Sequence, residues 1–359
     1  MVMHHTLSAH GVLTDVRNGV GFITLDRPKT LNALTLDMIM GLTDLLKQWA
    51  QDPQVETVIV QSSSARAFCA GGDIKGLYYA KQRVDRNFFV QMFFHEYRFN
   101  YFVYTFPKPL ISLVQGFCMG GGLGLAVHCR YRVGFEEALF AMPEANIGYF
   151  TDVGAGRFFN HGPNRVGYYL AASAAHVPVG DGYAAGLVTH TLKDAERDRL
   201  VAEIMALPLK DHGRIKDLLD NFASAPPPAT LEPHYGEINS LFAPSTWREM
   251  VENVRRHHGP IAQRLHHDWQ RLSPLSVAVS LEYLARMRHK TLKEVLIQDY
   301  HLSQSFLEDH DFFEGVRATL IDRDRNPRWN PQSFDDIRDE VVASYFSHKP
   351  LPYLFMGLS

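Results

Sequence analysis

Apolar positions in the first half of the chain fall into short β-branched runs separated by segments of helical period. Gly21-Phe22-Ile23-Thr24-Leu25, Thr57-Val58-Ile59-Val60-Gln61 and Leu110-Ile111-Ser112-Leu113-Val114 predict buried strands, and residues 131–135 and 139–141 predict two more. After the first strand, Arg27-Pro28-Lys29 predicts a turn. Thr35 then caps a helix whose apolar face is Ile39, Leu42, Leu45, Leu46 and Trp49. An aromatic stripe, Phe88, Phe89, Phe93, Phe94, Tyr97 and Tyr101, predicts another helix ahead of the Leu110 strand. Strand–helix alternation of this kind argues for a layered α/β fold. Beyond about residue 160 the pattern turns helical, with candidate helices at 166–175, 195–206, 247–256 and 281–288. The cluster Pro226-Pro227-Pro228 with Pro233 marks a loop and the expected internal boundary. The expected organisation is a core over 12–225 and a helical C-terminal region over 234–359 that packs on it.

Chemistry concentrates at residues 115–156. Met119-Gly120-Gly121-Gly122-Leu123-Gly124 follows the Leu110 strand, and Glu144 lies eight positions before Asp152. Bare glycines that open a helix after a strand present backbone N–H groups, and the positive end of the helix dipole, to a negative charge. Upstream, Phe68-Cys69-Ala70-Gly71-Gly72-Asp73 repeats the strand, turn and glycine order, so Gly72 and Gly121 can supply two N–H donors to one oxyanion. Two carboxylates nearby can divide acid, base or nucleophile roles. Each signal alone has a blander account. A glycine cluster also serves tight helix packing or a dinucleotide-binding turn, and Glu144 stands about where such a turn expects its acid. Pro143 and the loop-like 148–156 segment do not suit that second strand, however. Glu144 and Asp152, taken singly, suit solvated loop acids or helix caps. The ordered set Gly72, Gly121, Glu144, Asp152 is what favours chemistry.

Bulk properties narrow the function classes. The 359 residues carry a formal net charge of −3, which gives no reason to expect nucleic acid or a membrane surface as partner. No apolar run approaches the ~20 residues that span a bilayer, and residues 1–11 lack a signal or import pattern, so a cytoplasmic location is expected. Three cysteines fit neither a disulfide framework nor a zinc site. The 18 histidines include the doublets His4-His5, His257-His258 and His266-His267, none in a metal-binding spacing, so no metal is expected.

Arg27-Pro28-x-x-Leu31-Asn32-Ala33, Phe68-x-Ala70-Gly71-Gly72-Asp73, Gln115-Gly116-x-x-Met119-Gly120-Gly121-Gly122 and Pro143-Glu144 resemble the crotonase (enoyl-CoA hydratase/isomerase) superfamily. The likeness is strongest to its 3-hydroxyisobutyryl-CoA hydrolase branch. It runs from about residue 12 to about residue 340 and takes in Ser273-Pro274, Lys290-Thr291-Leu292, Glu294-Val295-Leu296 and the stretch from His310 to Ala318. The resemblance implies a crotonase-type spiral of ββα turns with a mainly helical C-terminal region. It also implies an acyl-CoA substrate, with coenzyme A as part of that substrate and no separate cofactor, and possible assembly into a homo-oligomer.

The same resemblance assigns residues. Gly72 and Gly121 would hold the thioester oxygen. Hydratases of the superfamily carry a glutamate three positions after the middle glycine, where this chain has Gly124, so only Glu144 remains and adding water to a C=C is disfavoured. The hydrolase branch pairs that acid with an aspartate eight residues on, here Asp152, and places a Glu-Tyr pair on the preceding helix, here Glu96-Tyr97. Glu144 would be nucleophile or general base, with Glu96 and Asp152 available to a substrate hydroxyl. Arg27 or Lys29 and Arg323 would meet the CoA phosphates, and main-chain groups around Ala70 and Asp73 the adenine. The chain departs from the branch at Thr151, where proline is frequent, at Ala155, and at Tyr149, where a smaller aliphatic residue is usual. A catalytically silent acyl-CoA-binding protein is the alternative from another class.

Overall fold

The structure is a computed structural model that describes residues 11–83, 85–347 and 352–355. The His4-His5 doublet and residues 1–10 lie outside the described residues, and of Arg86, Phe89, Pro352 and Tyr353 only the backbone is described.

In chain order the first part runs β1 (Val12–Arg17), β2 (Val20–Leu25), α1 (Leu36–Gln51), β3 (Thr57–Ser62), β4 (Ala67–Cys69), α2 (Ile74–Gln82) and α3 (Arg86–Tyr104). It continues with β5 (Leu110–Val114), β6 (Phe117–Met119), α4 (Gly121–Val127), β7 (Tyr131–Phe135), β8 (Leu139–Ala141), α5 (Ala155–His161), α6 (Val166–Ser173), β9 (Val177–Pro178), α7 (Val179–Ala184) and β10 (His190–Leu192). The remainder is helical, as the pattern predicted. A strand of a large sheet followed by a strand of a small sheet recurs as β3-β4, β5-β6 and β7-β8, with helices after each pair. This is the ββα spiral.

Two compact units result, and both draw on separated stretches of chain rather than on the linear division at 225 and 234. The first holds residues 1–72, 99–140 and 177–229; the second holds 73–98, 141–176 and 230–359. Interleaving follows from the spiral, because the excursions at 73–98 and 141–176 pack with the C-terminal helices. The last passage between units, at 229/230, does fall in the proline-rich loop.

In the first unit a six-stranded sheet has the order β1-β2-β3-β5-β7-β10, antiparallel at β1/β2 and parallel elsewhere. Parallel strands need crossovers and cover on both faces, which explains their near-continuous apolar sequence. On one face Ile23, Val60 and Leu110 pack with Leu42 and Leu46 of α1 and with Phe99, Val103 and Leu125. On the other, Phe22, Ile59 and Ile111 pack with Leu200, Ile204, Ile215 and Leu219 from the helices Arg197–Ala206 and His212–Phe222. Thr35 caps α1 by accepting from Met38 N, as expected. Leu45, predicted on the apolar face, is only half-buried, whereas Thr43 is buried and donates to Ile39 O. β1, absent from the predicted elements, joins β2 through Asn18-Gly19, both at positive φ, the turn that matches strand twist.

The second unit is built on aromatic packing. Tyr149 lies 5.6 Å from Phe93, 5.3 Å from Phe306 and 5.2 Å from Phe312, ring centre to ring centre. The helix Pro274–Met287 starts seven residues before the predicted one, with Ser273 as cap and Pro274 in its first turn. Its neighbour Leu292–Glu308 opens with a capping box of Thr291 and Glu294.

Candidate active site

The first unit supplies a pair of glycine turns. β4 and β6 run parallel, Ala67 beside Phe117 and Cys69 beside Cys118, so the segments that follow them leave the small sheet side by side. Gly71 has φ +103, and a Cβ there would sit 3.2 Å from Met119 O and 3.4 Å from Gly121 N. Gly120 has φ 51 and ψ −128, and a Cβ on Gly122 would meet Cys69 O at 2.3 Å. These contacts are why the chain needs glycine here: backbone packs on backbone with no room for a side chain. Gly72 is fixed by its bridge to Leu34, whose N–H donates to Gly71 O at 2.8 Å. Gly121 opens α4, where the first N–H groups have no partner within the helix. Gly124, three residues on, is buried within α4 and offers no carboxylate.

The groups assigned to CoA sit differently. Arg27 turns inward and donates to Ala33 O, and its own N–H donates to Asn32 Oδ1. It braces its turn, whereas Lys29 is exposed beside it. The Ala70 N–H is taken by Leu31 O at 2.9 Å, so among its main-chain groups the carbonyl oxygen is the one suited to an adenine amino group, and Asp73 caps α2 by accepting from Gly76 N. In the second unit Arg323 is exposed, at φ +60 after the π-helical turn Arg317–Ile321.

The second unit gathers three carboxyl groups. Glu96 on α3, Glu144 at the start of the 3-10 turn Glu144–Ile147, and Asp152 are 4%, 7% and 5% exposed, far less than solvated loop acids would be. Burial is the main cause of a common upward push, and the charge of Asp152 adds to it for the other two. Glu96 is raised to about 8, Asp152 to about 7 and Glu144 well above the usual carboxylate range. For Asp152 the push is opposed by the Tyr97 hydroxyl, which donates to its Oδ2 at 2.7 Å. Three such groups shed protons in coupled steps that belong to the set and not to any one of them. Glu144 Oε2 and Thr151 Oγ1 are buried with no hydrogen-bond partner among the described residues. Polar atoms left so cost about 1–3 kcal/mol each and mark places where a fold has given up stability for another use.

The turn that carries the acids is clamped from a distance. Gly148 closes the Glu144 turn at φ +69, and a Cβ there would strike Asp311 O at 2.2 Å. Ser273 N donates to Ala145 O at 3.1 Å, while its hydroxyl donates to Asp311 Oδ2 at 2.7 Å. Val153, next to Asp152, is held at φ 49, costly for a β-branched residue. Gly154 N donates to Asp299 Oδ2 at 2.7 Å, Thr151 N to Ser280 Oγ at 3.1 Å, and Gly156 N to Tyr283 Oη at 3.0 Å. Tyr283 in turn donates to Asp299 Oδ1. Sequence reasoning singled out none of Asp299, Tyr283 and Ser280, because only tertiary contact joins them to the turn.

The sequence profile of the enoyl-CoA hydratase/isomerase family matches residues 20–346. A mouse protein named mitochondrial 3-hydroxyisobutyryl-CoA hydrolase is 39% identical over 347 residues, covering 95% of this chain and 90% of its own. The human protein of that name is 38% identical over 350 residues, with the same coverage. Among solved structures, an enoyl-CoA hydratase from Rhodobacter sphaeroides superposes with a TM-score of 0.86 at 36% identity, over 96% of this chain and 98% of that one. A carnitinyl-CoA dehydratase from Mycobacterium thermoresistibile gives 0.88 at 30% identity, over 97% and 99%. With its ββα spiral and paired glycine turns, the chain belongs to the enoyl-CoA hydratase/isomerase (crotonase) family.

Proposed function

We propose that this chain is an acyl-CoA thioesterase that cleaves 3-hydroxyisobutyryl-CoA with water to 3-hydroxyisobutyrate and free CoA, a step of valine breakdown. The observation that carries the reading is the acid set: Glu144 and Asp152 buried with Glu96 in one unit, and Gly124 where a hydratase has its second glutamate. In this reading the thioester oxygen takes the N–H groups of Gly72 and Gly121, where charge grows as the tetrahedral centre forms. Ionised Glu144 either attacks the carbonyl carbon, giving a mixed anhydride that water then opens, or removes a proton from the attacking water. The C–S bond breaks and the CoA sulfur leaves as thiolate, to be protonated. Asp152 holds the water or the substrate hydroxyl and handles the proton. The names carried by the mouse and human relatives support the choice of acyl group.

A non-catalytic binder has no use for buried acids that cost stability, which weighs against that alternative. The hydratase reading draws on the names of the structural neighbours, and Gly124 weighs against it. A cytoplasmic setting is part of the proposal; the three buried free thiols support a reducing compartment, and the relatives' names place those proteins in mitochondria.

Release of free thiol from a panel of short acyl-CoA and 3-hydroxyacyl-CoA thioesters tests the proposal. Hydrolysis led by 3-hydroxyisobutyryl-CoA is expected. Hydration of an enoyl-CoA without thiol release would overturn it in favour of the hydratase, and tight binding without turnover in favour of the binder.

A further inference from the structure

Asp152 does not end its hydrogen bonding at Tyr97. The Tyr97 hydroxyl has a single hydrogen, and it points to Asp152 Oδ2 at 2.7 Å. The Tyr149 oxygen lies 3.2 Å from the Tyr97 oxygen. With the Tyr97 hydrogen spent, Tyr149 must be the donor in that contact, which orders the chain Tyr149 to Tyr97 to Asp152. Tyr149 is held there. It is 2% exposed, its N–H donates to Glu144 O at 3.1 Å, and Phe93, Phe150, Phe306 and Phe312 enclose its ring. Its hydroxyl therefore has no path to solvent.

We propose that Tyr149 is a positioning residue for hydrolysis, its hydroxyl completing a two-phenol chain that ends on Asp152 and holds that carboxyl for proton transfer. This rests on the thioesterase reading, in which Asp152 serves the reaction. The chain can run in either direction. With Asp152 ionised, both phenols donate toward it. With Asp152 protonated on Oδ2, it donates to Tyr97, which donates to Tyr149, and the Tyr149 hydrogen is left without an acceptor among the described residues, so the chain favours the ionised carboxylate. Donation from Tyr149 polarises Tyr97 and strengthens its bond to the charged carboxylate, the form that gains most from such a bond. The acid form can also place its proton on Oδ1, so it depends less on the chain. Both phenols are pushed upward by burial and by Asp152, and they serve as neutral donors. The charged groups around the pair are Glu96 on α3, Glu144 and Asp152 on the turn, and Asp299 on the helix Leu292–Glu308. Asp311, on the helix of Phe312, is turned to Ser273 and Asn330 N instead.

Tyr149→Phe keeps the ring and removes only the hydroxyl. The pH profile of kcat/KM for thioester hydrolysis should then shift its ascending limb upward by about half a unit. In the same variant kcat should fall about threefold to tenfold with KM changed less than about twofold. Tyr97→Phe should shift the limb at least as far, and the double variant should match Tyr97→Phe alone, because Tyr149 acts through Tyr97. An unmoved limb in Tyr149→Phe, or additive shifts in the double variant, would overturn the proposal. Carboxyl titration by NMR with ¹³C-aspartate in the unliganded protein gives a reading independent of turnover. An upward move of the Asp152 signal in Tyr149→Phe supports the chain, and an unmoved one overturns it. Full hydrolysis by Asp152→Asn would instead remove the thioesterase role of Asp152, leaving the NMR result to decide the chain.

Discussion

Asp299 Oδ2 accepts a hydrogen bond from Gly154 N at 2.7 Å, and so anchors the strained turn that presents Asp152. Val153, at φ 49 between those positions, would relax without that anchor. Asp299→Ala leaves Gly154 N and the Tyr283 hydroxyl without their buried acceptor. A loss of ~3 kcal/mol in unfolding free energy is expected, with kcat falling further than the loss of folded protein explains. An unchanged denaturation midpoint and unchanged kcat would show that the turn holds its shape without Asp299.

The part of the site that local patterns encode was legible, and the part that distance encodes was not. β3, β5 and α1 follow from apolar periodicity, and Gly72, Gly121, Glu144 and Asp152 stand out because strand, glycine and acid follow one another in a short span. Asn18-Gly19 was a readable hairpin signal, yet β1 before it alternates weakly, with exposed Leu13 and Val16. Tyr283 reaches Gly156 over 127 positions and Asp299 reaches Gly154 over 145, separations at which one sequence carries no periodic trace. The family resemblance offers Arg27, or Lys29 beside it, to a CoA phosphate. The geometry gives Arg27 to Ala33 O, because an arginine beside a tight turn can satisfy the turn's carbonyls.

The acid cluster should make stability fall as pH rises. Glu96 moves from an ordinary value of 4.5 to about 8 on folding, and Asp152 from 3.8 to about 7. Between about pH 4 and pH 8 the unfolded chain has lost these protons while the folded one still holds them, so stability is full below that window and lost across it. Glu96→Gln, which cannot ionise, should recover at least ~1 kcal/mol at pH 8 and little at pH 4. Thermal unfolding at the two pH values checks it; an equal gain at both would assign the effect to packing.

Glu144 carries the reaction in the proposed chemistry, and its unpartnered Oε2 leaves it free to do so. Glu144→Gln keeps shape and burial but can neither attack nor accept a proton. Turnover should drop about a hundredfold or more with KM nearly kept. Near-full hydrolysis would remove Glu144 from the mechanism. In a single turnover with ¹⁸O water, label found in Glu144 supports direct attack, and label in the product acid alone supports the base role.

In the proposed reading, selection for a hydroxyl-bearing acyl group rests on Glu96 and Asp152, both buried in the second unit. Hydrolysis of 3-hydroxyisobutyryl-CoA or 3-hydroxypropionyl-CoA should outrun isobutyryl-CoA by about a hundredfold or more in kcat/KM. Glu96→Ala should narrow that ratio. Equal rates for hydroxylated and plain thioesters would sink the substrate assignment, and a ratio unmoved by Glu96→Ala would leave Glu96 only its place on α3.

Phosphate binding by the CoA tail should rest on exposed cations, since Arg27 is already committed to its turn. Arg323 and Lys29 are both exposed, so each contact works against water and salt and is worth little. Arginine matches a phosphate with paired donors, which makes Arg323 the better anchor of the two. Arg323→Ala should therefore raise KM about twofold to fivefold at low ionic strength. The effect should be smaller at high salt, with kcat unchanged, and Arg27→Ala should lower stability rather than affinity. Steady-state kinetics at two salt concentrations, beside a melting curve, separates these outcomes. A collapse of kcat at constant KM in Arg323→Ala would place that residue at the reacting centre or in the fold, and would move the CoA phosphates elsewhere.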